Sequence, residues 1–271
     1  MIASYLIAIA VDVLLPVGLA LWWRRRAKVS FRYLWMGALV FFVFQMVTRI
    51  PAMKALEYVI ADDLQASEGL LALYLVGAAL TAGLFEEVGR FLGWKVLLKK
   101  KPRTFDGAVM YGIGHGGLES ALLVGGMAAA GMVNALILPG LDPHSMGLPS
   151  EQVEQIVAAQ EQIASMPPWL PLLGAFERVF ALCVQICCSV LVVQCFVRGG
   201  LRWLWIAVGY HFAVDLAAVF GTRALTDLAG DTAGMIAVEG VVAAFAALSL
   251  VIVFRLAPEG PASERERAAP R

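Results

Sequence analysis

Three short motifs in otherwise apolar sequence carry ionisable side chains: FEEVGR at 85–90, GIGHGGLES at 112–120 and YHFAVD at 210–215. Together they supply Glu86, Glu87, Arg90, His115, Glu119, His211 and Asp215. Charge inside a bilayer is costly, so ionisable groups there mark functional sites by default. Two adjacent carboxylates repel each other, and Arg90 stands three residues after one and four after the other, within pairing reach of either. Neutralising one leaves the other as a general base for work near neutrality. Glu119 and Asp215 each follow a histidine by four residues, on the same helix face and one turn further on. That spacing equally suits metal ligation, with Glu86, His115, Glu119, His211 and Asp215 as the possible ligands. Zinc is the candidate ion, with one position left for water.

Each group also has a plainer reading. Glu87 with Arg90 is as well explained as an ionic clip between helices, and a histidine in a span can simply be hydrogen-bonded. Gly112, Gly114, Gly116 and Gly117 frame His115, and Gly112-x3-Gly116 fits close helix packing. The same glycines weaken the helix and predict room for water or an extended substrate. Cys183, Cys187, Cys188 and Cys195 fall in one apolar run and read as small packing residues, although Cys183 and Cys187 could share a ligand. Asp12, Glu177, Arg178 and Glu239 lack motif context, and Glu177 beside Arg178 reads as internal charge compensation. His144 is a loop residue.

The elements that must position these motifs are membrane spans. The chain is 60% hydrophobic and 15% charged, with a mean hydropathy of +0.77, against roughly a quarter charged in soluble domains. The expected fold is all-α, a polytopic membrane bundle of about seven transmembrane helices over 2–23, 33–50, 70–94, 107–133, 171–197, 201–220 and 233–254. Arg49 and Pro51 are expected to close the second span early. Residues 1–256 form the helical domain, and 257–271, Pro-rich and charged, read as a disordered cytoplasmic tail. No basic residue precedes the first apolar stretch, so it reads as a retained span. Basic and acidic residues balance at 21 each, which gives no argument for nucleic acid as a partner.

Lysine and arginine crowd the connections after the first, third and fifth spans and the tail, which places the amino terminus outside and the carboxyl terminus in the cytoplasm. Trp22, Trp23, Trp94, Trp203 and Trp205 read as anchors at the inner interface. In the outer connection 139–169, Ser150 is expected to cap a helix whose Val153, Ile156, Val157 and Ile163 form an apolar stripe. No internal repeat or inverted symmetry of the transporter kind is visible.

Depth ties the motifs together. Glu86 lies nine residues before Lys95, His115 nine after Asp106, and His211 nine after Arg202. At 1.5 Å per residue, all three lie roughly 13–14 Å inside a hydrocarbon core about 30 Å thick. Three remote charges at one depth can converge if their spans pack together.

FEEVGRFLGWK, then YGIGHGGLES, then YHFAVD resemble the YhfC family of intramembrane proteases, itself similar to the CPBP/CAAX-protease superfamily. The resemblance implies water activation by Glu86 and His115, with His211 and Asp215 facing the oxyanion. Two departures stand out: two residues, not three, separate the glutamate pair from Arg90, and Asp215 stands where asparagine is usual. An ionised carboxylate repels an oxyanion, so Asp215 must be protonated, orient His211, or bind a metal. The expected activity is an intramembrane endopeptidase, with or without bound zinc, in a prokaryotic inner (plasma) membrane. Its substrate is expected to be a membrane-embedded or lipid-anchored protein. The rivals are a proton- or cation-coupled transporter, a zinc lipid hydrolase, and a non-catalytic membrane immunity or binding protein.

Overall fold

In the computed structural model, residues 1–258 are described. All but the first two residues of the expected disordered tail lie outside that range. Seven helices among the described residues are long and apolar enough to cross a membrane: Ile2–Ala27, Arg32–Val59, Glu68–Leu97, Phe105–Gly140, Pro171–Val197, Arg202–Ala229 and Asp231–Leu256. The protein is an all-helical integral membrane bundle. Side-chain oxygens begin two of the spans, Ser67 Oγ accepting from the Leu70 amide and Thr104 Oγ1 from the Gly107 amide. Gly199, Gly200 and Gly230 supply the positive φ angles at the breaks before the last two spans.

The bundle is inverted relative to a soluble one. Leu14, Leu73 and Phe254 are each more than 60% exposed and make the lipid-facing surface, while most of the motif carboxylates and histidines point inward. The fifth span is the most buried and forms the centre, packed by the first, third, fourth, sixth and seventh. From Gly107 to Gly117 the fourth span is wholly buried.

Glycine permits that closeness. A Cβ on Gly112 would lie 2.6 Å from Ile186 Cα, and one on Gly114 would collide with the Leu34 backbone. The glycines around His115 therefore do not open room for water or substrate, as the sequence had suggested. Neighbouring helices occupy the space their missing side chains leave. Gly83 does the same between the third and sixth spans, where a Cβ would sit 3.1 Å from the Val208 carbonyl oxygen.

Three further expectations are corrected. The second span does not end at Pro51 but runs on to Val59. A π-helical stretch, Phe42–Arg49, precedes the proline and re-registers the carbonyls that its missing N–H would have disturbed. Trp94 is no interface anchor. It is fully buried, its ring 5.6 Å from that of Tyr111, because it lies four residues after Arg90 and seven after Glu87, on the face of the third span that turns into the bundle. Ser150 is the first residue of the outer helix Ser150–Ser165 and makes no capping bond; Pro149 holds the cap position. The apolar stripe of that helix is half-buried, and Gln160 Nε2 ties it to the Leu138 carbonyl at 2.7 Å.

The basic bias of the connections leads to an expected topology. A reporter fused after Arg271 should behave as cytoplasmic and a tag in loop 139–169 as external. The opposite result for both would reverse the orientation.

Candidate active site

Glu86 stands one helical turn before Arg90 on the third span and is reached from three sides. Its Oε2 is 2.9 Å from His115 Nε2 of the fourth span and 3.9 Å from His211 Nδ1 of the sixth. An ionised carboxylate only accepts, so His115 donates its Nε2–H, and its Nδ1 is buried without a partner among the described residues. Gln45 Nε2 donates to Glu86 Oε1 at 2.7 Å, and Arg90 Nη2 and Gln185 Nε2 each donate to Oε2 at 3.2 Å. Four donors converge on one carboxylate, one at Oε1 and three at Oε2.

Glu87 faces the other way. Its Oε1 accepts from Arg90 Nη1 and from His211 Nδ1, the latter at 2.8 Å. Its Oε2 is buried and unpartnered among the described residues. Arg90 is fully buried and serves both glutamates, and it also donates to Gln185 Oε1. The charges therefore form a network in which Arg90 is shared between the two carboxylates.

The remaining motif residues lie further out. Glu119 accepts from Arg178 Nη1 at 3.0 Å and from Gln185 Nε2 at 2.5 Å. Arg178 also donates to Glu177, so the charge compensation expected of that pair extends to Glu119. Asp215 is 3.7 Å from His211 Nε2, with a side chain 31% exposed. Glu119, Gln185, His211 and Asp215 line one cavity of about 80 Å³, together with Arg178 and Glu177.

Sequence reasoning passed over Gln45, Arg49, Gln185 and Cys188. Arg49 donates to the Ala78 carbonyl at 2.5 Å and to Gln45 Oε1 at 3.2 Å, so it holds the amide that holds Glu86. Their signal was available: an amide or guanidinium within an apolar run has to find a polar partner across helices.

The family model described as "YhfC intramembrane metalloprotease" matches residues 11–242. The chain belongs to this family. It is also 30% identical over 243 residues to the "Uncharacterized membrane protein YhfC" of Bacillus subtilis (strain 168), covering 89% of this chain and 90% of that protein. No solved structure matches.

The family description implies a metal, and the donors present can be tested for one. Glu87, Cys188 and His211 each offer a ligand atom, and these atoms all lie within 4.8 Å of one another. The unpartnered Glu87 Oε2 is the kind of buried acceptor that a cation satisfies. Carboxylate, imidazole and thiolate together suit zinc. Of the five ligands expected from sequence, His211 belongs to this group. Glu86 and His115 are bonded to each other, Glu119 is tied to Arg178, and Asp215 stands behind His211.

Proposed function

We propose that the protein is an intramembrane endopeptidase whose water is activated at Glu86 and His115. The observation that carries this reading is the contact of Glu86 with His115 at 2.9 Å, with His211 at 3.9 Å, inside the membrane bundle. The substrate is a membrane-embedded or lipid-anchored protein, because the site lies between spans and the outer surface faces lipid.

His115 donates Nε2–H to Glu86 and so fixes the orientation of the carboxylate. Glu86 takes a proton from water, and the oxygen of that water bonds to the peptide carbonyl carbon. The carbonyl electron pair moves onto oxygen. In the metal-free site His211, held through Nδ1 by Glu87, presents Nε2 on the side of Asp215 as a donor to that oxygen, a part it would give up on offering a ring nitrogen to a metal. Collapse breaks the C–N bond, and the amine leaves with the proton that Glu86 returns. Glu87, Cys188 and His211 would hold the metal implied by the family, which when bound supplies a Lewis acid for carbonyl or water oxygen.

Gln185 controls the approach. It lines the cavity and also bonds Glu86 and Glu119, so water reaches Glu86 Oε2 from that side when this amide moves. Gln185→Ala should lower stability by about 1–3 kcal/mol, as charged partners lose a hydrogen bond, yet keep cleavage within about tenfold. Gln185→Glu adds a carboxylate beside two others and should reduce cleavage further. Thermal melts in detergent and peptide cleavage rates read both. Loss of cleavage in Gln185→Ala as complete as in Glu86→Gln would make Gln185 part of the chemistry instead.

The function itself is tested by incubating purified protein in liposomes with transmembrane peptides and lipids. New peptide termini by mass spectrometry are expected. Released fatty acid or headgroup with intact peptide would favour lipid hydrolysis, and ion flux with neither product would favour transport.

A further inference from the structure

We infer that Cys188 is a thiolate ligand in a metal centre formed with Glu87 and His211, and that Glu86 and His115 stand outside that centre as the proton-handling pair. The inference rests on the reading that this cluster is the reaction centre, but its test reads metal and not cleavage.

The three donors come from the third, fifth and sixth spans, and each is at least 95% buried. A tetrahedral zinc with ligands at about 2.0–2.3 Å sets its donors roughly 3.3–3.8 Å apart. Atoms already within 4.8 Å of one another need to close by only about 1 Å, a matter of side-chain rotation. Cys183, Cys187 and Cys195 fall in no such group among the described residues. Cys188 alone shares its wall with a histidine and a carboxylate.

Charge points the same way. Glu86, Glu87, Glu119, Glu177 and Asp215 stand in the connected network and its cavity with Arg49, Arg90 and Arg178. Ionised, five carboxylates and the Cys188 thiolate against three guanidiniums leave an excess of three negative charges, which a divalent cation reduces. A buried excess of that size needs such a partner.

The surroundings are those of ligands. Arg90 grips Glu87 Oε1 and leaves Oε2 unpartnered. Asp215 stands 3.7 Å from His211 Nε2, a further carboxylate on the other side of the ring from Glu87. Glu86 already accepts from four donors, three of them at Oε2, and falls in no such ligand group among the described residues. The adjacent glutamates thus divide the work, one for the proton and one for the metal. A thiolate among the ligands selects zinc over magnesium or calcium.

The experiment uses the tag-free full chain in detergent, loaded with zinc for elemental analysis and with cobalt for absorption. Wild type should bind one equivalent, and the cobalt form should show a near-ultraviolet thiolate-to-cobalt charge-transfer band. Cys188→Ala should lose the band and weaken zinc at least about tenfold, whereas Glu86→Gln should keep both. Cobalt bound without that band in wild type, no metal bound at all, or a band that survives Cys188→Ala overturns the inference. The wild-type spectrum decides even if Cys188→Ala fails to fold. Metal bound as described with no peptide cleavage would instead sink the peptidase reading alone.

Discussion

Replacing Glu86 with glutamine should reduce peptide cleavage by about 10²–10⁴-fold, the loss typical of removing a general base. The change keeps size and leaves an amide where Gln45, Arg90, Gln185 and His115 now converge on a carboxylate. The amide nitrogen cannot accept, so at least one of those donors loses its partner and the melting temperature should also fall. Cleavage rates must therefore be compared under conditions where both proteins are folded. Undiminished proteolysis in Glu86→Gln would remove this residue from the mechanism and return the transport or binding readings to the front.

The second large effect is expected at His211, and it is sharpest beside its neighbour. His211→Ala removes the donor to Glu87 Oε1 and one wall of the cavity, so cleavage should be lost to the limit of detection. Breaking a buried ion pair from one side costs about 3–5 kcal/mol, softened here because Arg90 still serves Glu87. Asp215→Asn should be mild by contrast, within about tenfold in rate, since asparagine can still face His211 Nε2. Single-turnover cleavage of a transmembrane peptide by both variants measures the difference. Equal and complete loss in the two would place Asp215 in direct contact with the reacting groups.

Much of the architecture was legible because it follows from hydrophobicity. Runs long enough to span, separated by polar connections, define seven helices with few alternatives. The convergence of Glu86, His115 and His211 was legible as well, since three equal depths on three helices leave little else for charged groups to do. Neutral polar residues were the blind spot. Gln45 and Gln185 carry no charge to stand out, and yet they decide which face of Glu86 is covered. Cys188 was invisible for the opposite reason, as a thiol in an apolar run looks like packing. The phase of a helix was also hidden. The π segment at Phe42–Arg49 carries the second span past Pro51, and it does not follow from composition.

The cavity beside His211 has a kinetic meaning. Its 80 Å³ holds a few waters, each of which takes about 30 Å³ in the liquid, and no stretch of polypeptide. The arrangement described is therefore a closed resting state, and the bundle must part before a substrate can be seated. Glycine-to-backbone contacts hold the second, fourth and fifth spans together and the third against the sixth, so the separation falls along the seam between these two groups. For the proposed peptidase, turnover is then expected to be clocked by the rate at which the two groups of helices part in lipid, a microsecond-to-second motion, rather than by bond breaking. Bilayer fluidity would set the pace of such an enzyme more strongly than the strength of its base.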